Sequence, residues 1–229
     1  MPAPPVLPDY AGANLRGLVP ALLAPPTARR PQWLPAVADA DQVVLLVLDG
    51  LGWDQLQERR GLAPTLAAMT GGPIGSVAPT TTATALTSIT TGLTPAEHGV
   101  LGYRMDMGGR VLNTLRWHDG TQDLRTVFEP KILQPFMPFL GEAVPAITKA
   151  EFQRTGFTDA HLRGAPFHGW RSPSSVPVIT YWLPVKGPSM GFSSSPTSKR
   201  RPSSRSSATS VRFCSSENHS AIASARSGP

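Results

Sequence analysis

Hydrophobic positions between residues 42 and 172 fall into short runs separated by polar segments with helical spacing. Residues 42–48, Gln-Val-Val-Leu-Leu-Val-Leu, form a continuous aliphatic run, which is typical of a strand buried on both faces of a parallel sheet. Residues 73–78 and 143–148 predict two more strands, and residues 53–58, 64–69 and 82–91 predict helices. Because strands alternate with helices, we predict an α/β fold with a mostly parallel sheet and helices on both faces.

Weaker patterns predict the remaining elements. Residues 103–107 and 110–115 flank Gly108-Gly109 and predict a β-hairpin. Residues 126–140 have helical spacing but contain three prolines, so we expect only short or broken helices there. Thr158 is expected to cap a short turn over residues 159–162.

Both ends of the chain differ in composition from this central part. Residues 1–31 are rich in proline and predict an arm over the domain edge, with one or two helical turns in residues 14–23 interrupted by Pro20. Residues 32–172 carry the regular pattern and form the predicted domain. Residues 173–229 lose the pattern, with 15 serines after Pro188. We predict that this tail is disordered because it has little apolar surface to bury.

The net charge of +6 is concentrated in that tail, where the last 41 residues hold six Lys or Arg residues and one acid. A basic groove across the folded part is therefore not supported, and we expect no nucleic-acid partner for it. The alternative function is a non-catalytic protein whose basic tail contacts nucleic acid. Its support is the Lys199-Arg-Arg-Pro-Ser-Ser-Arg stretch alone.

The single cysteine, Cys214, excludes an intramolecular disulfide and fits a reducing compartment. The N-terminal residues lack the pattern of a signal peptide. The longest aliphatic run, residues 43–48, is too short to span a bilayer. These features predict a cytoplasmic protein without a membrane partner, and the sequence does not predict an oligomeric state.

The segment over residues 77–103 carries the candidate chemistry. Thr82 is predicted to be the N-cap of a helix that runs to Thr91 and ends at Gly92 in a left-handed conformation. A helix start beside a hydroxyl suits phosphate, although an ordinary threonine cap explains the same residues. Several residues of this helix are β-branched, so we expect packing to stabilise it rather than propensity.

Asp49 provides a possible partner for that hydroxyl, because it follows the predicted strand 42–48 directly. Both side chains would face the crevice at the carboxyl edge of the sheet. A solvated Asp-Gly turn is the alternative interpretation of Asp49. A threonine hydroxyl is a weak nucleophile at neutral pH, whereas a divalent cation held by Asp49 and contacting Thr82 would favour its alkoxide.

Three motifs carry a resemblance to a known family. Val-Leu-Asp49-Gly-Leu-Gly-Trp-Asp54, then Pro79-Thr-Thr-Thr82, and then Thr91-Gly-Leu-Thr-Pro-Ala-Glu-His98-Gly-Val resemble the type I phosphodiesterase/nucleotide pyrophosphatase family of the alkaline phosphatase superfamily. The similarity covers about residues 41–171. It implies that residues 32–172 are the N-terminal part of a phosphodiesterase or phosphatase catalytic domain with an alkaline-phosphatase-like fold.

The resemblance also implies the site and its cofactor. It implies a hydrolase of phosphoesters or nucleotides that uses two divalent metal ions, expected to be zinc, with Asp49 as a metal ligand. Thr82 would be both a metal ligand and the nucleophile that becomes a covalent phosphothreonine. Tyr103 stands where some relatives carry a substrate-binding asparagine. Glu97 and His98 match an element that we interpret as structural.

The chain departs from the family pattern in its second half, where relatives supply further Asp and His ligands. No aspartate follows Asp159, and the histidines beyond it are His161, His168 and His219. We expect His161 and His168 to be surface or loop residues, the alternative being that one of them is a substitute zinc ligand, and we expect His118-Asp119 to be a solvated loop pair. We interpret Arg171 as the end of family-like sequence and the tail as an out-of-frame ending, which predicts a truncated product of low or no activity.

Overall fold

The structure is a computed structural model that describes residues 7–35 and 43–172 in full and the backbone of two later strands. Helices occupy Leu18–Leu23 (α1), Trp53–Glu58 (α2), Pro64–Ala67 (α3), Thr82–Thr91 (α4), Pro95–His98 (α5), Pro130–Leu133 (α6) and Gly156–Leu162 (α7). Short 3₁₀ turns lie at Leu15–Gly17, Arg60–Leu62, Pro138–Gly141 and Ala150–Phe152. Strands occupy Pro73–Gly75 (β1), Arg104–Asp106 (β2), Val111–Asn113 (β3), Ala146–Lys149 (β4), Phe167–Trp170 (β5), Ala208–Arg212 (β6) and His219–Arg226 (β7).

The described strands form small sheets of both kinds. β4 and β5 pair in parallel, β2 and β3 form the predicted antiparallel hairpin, and β1, β7 and β6 form an antiparallel sheet in that order. The protein is therefore a mixed helix and strand fold, and its described sheets are not mostly parallel. The prediction of one mostly parallel sheet covered on both faces is not matched by this arrangement.

Residues 43–48 differ most from the prediction, since they form no strand. Residues 45–48 are nevertheless half-buried, with apolar contacts on two sides. Leu45 and Val47 pack against the main apolar cluster, whereas Leu46 and Leu48 pack against a second cluster around Leu56. The aliphatic run thus indicates burial of alternate side chains on two faces, as expected, without the ladder hydrogen bonds that define a strand.

Helix α4 lies between the two largest apolar clusters. Ala85 and Ile89 belong to the cluster that contains Ile74 and Val77, and Ala83 belongs to the cluster around Trp117. Its polar side chains are also buried, namely Thr84, Thr87, Ser88, Thr90 and Thr91. Packing on several sides explains how a helix of poor helix formers is stable.

Residues near the N-terminus contribute side chains to the main apolar cluster. Leu15 and Leu18 are fully buried and pack with Ile74, Ala85 and their neighbours. Helix α1 contains Pro20 within its first turn, where the missing N–H has no intrahelical partner to lose. The predicted interruption at Pro20 is therefore wrong.

Two helix caps are displaced from the predicted residues. Thr81, and not Thr82, is the N-cap of α4, because its hydroxyl accepts a hydrogen bond from the Thr84 amide. Similarly, Thr155 caps α7, and Thr158 lies inside that helix. Gly92 ends α4 with a φ of 75°, as predicted.

The sequence predicts no regular structure after residue 172, but the structure contains strands β6 and β7 there. The other residues of the 173–229 tail lie outside the described residues, and for them the predicted disorder stays a prediction. No helix in the described part of the chain is long and apolar enough to cross a bilayer.

Candidate active site

The Thr82 hydroxyl and the Asp49 carboxylate lie in direct contact. Thr82 Oγ1 donates a hydrogen bond to Asp49 Oδ2 over 2.7 Å, although the two residues are 33 positions apart in the chain. Asp49 is exposed and Thr82 is half-buried. The structure therefore brings the two residues together where a solute could reach both oxygens.

A tight turn at the end of the buried 43–48 run presents Asp49. The Leu51 amide donates to the Leu48 carbonyl over 3.3 Å, and Gly50 has a φ of 81°. A turn of this kind places Asp49 at its outer corner and requires a residue such as glycine next to it. Asp49 is thus in an Asp-Gly turn, as the alternative interpretation had it, but its carboxylate has a specific partner.

Thr82 is the first residue of α4 and lies among threonines whose hydroxyls bond locally. Thr80 donates to the Val77 carbonyl, and Thr81 pairs with Thr84 over 2.9 Å. Further along the helix, Thr87 and Thr91 donate to the carbonyls four residues earlier. Thr82 differs from these neighbours because its hydroxyl donates away from the helix, to Asp49.

Tyr103, the predicted substrate-binding residue, lies at the start of the hairpin and is 44% exposed. Its phenol oxygen accepts a hydrogen bond from the Asn113 amide nitrogen over 2.8 Å. The phenol is thereby anchored on the facing strand and keeps its own O–H available to donate. No contact with Thr82 or Asp49 is shown, so its predicted role stays a prediction.

His98 is buried, and both of its ring nitrogens have partners. The Val100 amide donates to Nδ1 over 3.1 Å, so the ring proton is on Nε2, which lies 2.8 Å from Ser88 Oγ. Burial lowers the pKa of His98 to about 4, and the ring is neutral at pH 7. This geometry supports the structural interpretation of His98.

Glu97, the neighbour of His98, completes a capping box at the start of α5. Its carboxylate accepts hydrogen bonds from both the amide and the hydroxyl of Thr94. These bonds lower the pKa of Glu97 from its usual value. The Glu-His-Gly element thus holds a helix turn in place, with Glu97 Oε2 engaged by Thr94.

The other candidate ligands are engaged elsewhere. His161 is 7% exposed and stacks on Phe157, and its Nδ1 donates to the Phe157 carbonyl, so the expectation of a surface or loop residue is wrong for it. Its burial lowers the pKa to about 4. Asp119 pairs with Arg110 over 2.5 Å and accepts bonds from Thr121 and Gln122, which hold the pKa of its carboxyl far below the usual range.

The residues present match only part of a metal site. Carboxylate and hydroxyl oxygens in contact are suitable ligands for one side of a divalent cation. Among residues 7–35 and 43–172, however, no group of three or more His, Cys, Asp or Glu side chains could hold an ion. Asp49 and Thr82 therefore fit one corner of a single ion, and the described residues do not complete a two-metal centre.

The fold and site together define a mixed α/β protein with an accessible threonine held by an aspartate at a helix start. The family model for type I phosphodiesterase / nucleotide pyrophosphatase matches residues 43–219. The chain belongs to this family, and membership indicates a phosphodiesterase or nucleotide pyrophosphatase type of hydrolase. No curated protein and no solved structure gave a match.

The matched range extends further than the sequence motifs indicated. Family-like sequence continues to residue 219 and does not end at Arg171. The interpretation of the tail as an out-of-frame ending stays a prediction, and so does the low activity expected from it.

Proposed function

We propose that this chain hydrolyses phosphoester bonds of small molecules, of the nucleotide phosphodiester or pyrophosphate type, with Thr82 as the nucleophile. The observation that carries the proposal is the 2.7 Å hydrogen bond from Thr82 Oγ1 to Asp49 Oδ2 at an accessible helix start. Family membership supplies the reaction class.

Asp49 orients the threonine hydroxyl and accepts its proton in a hydrogen bond. A carboxylate alone is too weak a base to activate an aliphatic alcohol fully. A divalent cation, which we expect to be zinc and which Asp49 and Thr82 would hold, supplies the missing Lewis acidity when bound. The second ion that the family resemblance implies would need ligands beyond those described.

The start of α4 provides the electrostatic part of the site. Unpaired amides at a helix N-terminus and the helix dipole stabilise negative charge, so a phosphoryl group approaching Thr82 is favoured there. Thr82 Oγ1 passes its proton by way of Asp49 to water or to the leaving oxygen, and it forms a bond to phosphorus as the bond to the leaving alcohol or phosphate oxygen breaks. The product is a phosphothreonine that keeps the remaining substituent of the phosphoryl group. Water then hydrolyses that ester and restores the hydroxyl.

The test is hydrolysis of a chromogenic nucleotide phosphodiester, with and without added zinc, by the parent and by Thr82→Ala. We expect Thr82→Ala to lower kcat by a factor of about 10³ or more, because removal of a nucleophile leaves only binding and electrostatic effects. Asp49→Asn should weaken zinc activation and raise the zinc concentration needed for half activity.

Thr82→Ser is the matched control, since it keeps a hydroxyl at the same place and should retain measurable activity. Activity that survives Thr82→Ala would remove Thr82 from the nucleophile's role. A parent that hydrolyses none of the tested phosphoesters, with or without zinc, would contradict the proposal as a whole.

A further inference from the structure

Residues 10–20 contact the segment 75–78 that leads into helix α4 and the C-terminal end of that helix, although they precede the family match, which begins at residue 43. The N-terminal residues that make these contacts lie outside the region 43–219 that matches the family model. They join a segment near the N-terminus to the helix that carries the candidate nucleophile.

Before the start of α4, four hydrogen bonds join this segment to β1 and the loop that follows it, and one of them runs from Tyr10 Oη to the Ala78 carbonyl over 3.5 Å. Tyr10 Oη accepts from the Ala78 amide over 3.1 Å. Asn14 Nδ2 donates to the Ser76 carbonyl over 2.8 Å in a buried position, and the Gly75 amide donates to the Ala13 carbonyl over 2.7 Å. The backbone of residues 75–78 is therefore held at three points just before Thr82.

At the other end of α4, the same segment packs against the helix cap. Arg16 Nη1 lies 3.4 Å from the Gly92 carbonyl, and Arg16 Nε donates to the Tyr10 carbonyl. A Cβ at position 92 would lie 2.5 Å from Pro20 Cγ, so the helix end and Pro20 are in close contact. Contacts at both ends limit movement of α4 along its axis.

The loop over residues 77–81 transmits this restraint to Thr82. Thr80 Oγ1 donates to the Val77 carbonyl over 2.8 Å, and the Thr81 amide donates to the Pro79 carbonyl over 3.1 Å. Ala78 lies between these bonds, and the Tyr10 phenol fixes its amide. Loss of that bond would let the start of α4 shift relative to Asp49.

We propose that Tyr10 is a positioning residue for Thr82, acting through Ala78 and the 77–81 loop; this rests on the proposed function. Attack on phosphorus requires the nucleophile to be aligned with the departing oxygen, and small misplacements of a nucleophile lower the rate strongly. Tyr10 contacts neither Thr82 nor Asp49 in the hydrogen bonds described above, so its effect should fall on kcat and not on substrate binding.

The test compares Tyr10→Phe with Thr155→Val in the full chain. Each removes one hydroxyl that accepts a hydrogen bond from a backbone amide, Ala78 in the first case and Thr158 in the second. We expect Tyr10→Phe to lower kcat about threefold to tenfold with KM within about twofold, as loss of the hydrogen bonds between the phenol and Ala78 predicts. Thr155→Val should leave both constants unchanged.

Hydrogen exchange measured by mass spectrometry gives a readout that does not depend on catalysis. In Tyr10→Phe, peptides covering residues 76–86 should exchange about threefold to tenfold faster, while those covering 104–113 are unchanged. In Thr155→Val, the faster exchange should be confined to residues around α7.

If the parent is active, the proposal is overturned by a Tyr10→Phe kcat equal to that of the parent, or by unchanged hydrogen exchange over residues 76–86. Equal losses of kcat in both variants would also overturn it, because they would report general stability. An inactive parent would instead contradict the proposed function itself, so the two failures are distinguishable.

Discussion

Helix α4 carries two hydroxyl pairs of nearly the same length with opposite surroundings. Thr82 Oγ1 lies 2.7 Å from Asp49 Oδ2 at an accessible edge, and Ser88 Oγ lies 2.8 Å from His98 Nε2 in the interior. By residue type alone, the serine and histidine pair is the more usual nucleophile and base. It is buried, however, and the second nitrogen of His98 is occupied by the Val100 amide.

The comparison shows that access and free bonding capacity, and not distance, separate a candidate nucleophile from a structural hydroxyl. The Ser88 and His98 pair uses its polar groups to tie α4 to the end of α5. The Thr82 and Asp49 pair leaves carboxylate oxygens free for a ligand. Each half of the comparison can be tested by itself.

The largest expected difference is between Ser88→Ala and Thr82→Ala in the phosphodiester assay. Ser88→Ala should keep kcat within about threefold of the parent, against the loss of about 10³ for Thr82→Ala. Its cost should appear in stability, about 1–2 kcal/mol from a buried ring N–H that loses a partner, measured by urea unfolding. A loss of activity as large as that of Thr82→Ala, in folded protein, would reverse the assignment.

The pH dependence of stability tests the buried Ser88 and His98 pair. The folded pKa of His98 is about 4 and the ordinary value is 6.5, so the unfolded chain binds more protons between these values. This contribution to stability is complete above pH 6.5 and decreases as the pH falls to about 4. We expect the free energy of unfolding, measured by urea titration, to fall on the order of 1–3 kcal/mol between pH 7 and pH 4.

Substitutions of single histidines identify which residues cause this dependence of stability on pH. His161 contributes in the same direction, because burial also lowers its pKa to about 4. His98→Gln should therefore reduce the pH dependence without abolishing it. If His98→Gln keeps the full pH dependence of the free energy of unfolding, His98 is not buried as a neutral ring.

Thr81 and Thr82 provide a comparison between neighbours. Thr81→Ala removes the α4 cap and should cost about 1 kcal/mol of stability while activity falls only modestly. Thr82→Ala should do the opposite, with a small change in the urea midpoint and a large loss of activity. Thermal or urea unfolding beside the same assay checks both, and equal profiles for the two variants would contradict separate roles.

The smallest effect is expected at Asp119, whose bonds are confined to its loop and Arg110. Asp119→Asn should leave kcat and zinc activation within about twofold of the parent, because its carboxylate belongs to no candidate site. A clear loss of zinc activation in the hydrolysis assay would place this loop in the metal centre after all.

Local patterns predicted the elements that depend on local chemistry. Helix α2 has the predicted bounds, and the hairpin forms around Gly108-Gly109, since helical periodicity and turn residues specify them. Strand β5, Phe-His-Gly-Trp, was not predicted, because these residues show no alternation of apolar and polar positions. Three consecutive threonines explain why the α4 cap was placed one residue late.

The site was predicted only in part. The meeting of Asp49 and Thr82 was expected from a shared sheet edge, and the structure brings them together without a strand at residues 43–48. The partners of Tyr10 and His98 were not predicted, since contacts such as that of Tyr10 with Ala78, 68 residues away, leave no local pattern. The roles of Asp49, Thr82 and Tyr103 stay predictions.

The alternation of side chains along residues 43–48 makes the site sensitive to parity. Leu45 and Val47 face one apolar cluster, and Leu46 and Leu48 face the other. Inserting or deleting one residue in this run would exchange the two sets and turn Asp49 away from Thr82, whereas a change of two residues would preserve its direction. The number of residues in the 43–48 run therefore decides whether the Asp49 carboxylate points toward Thr82.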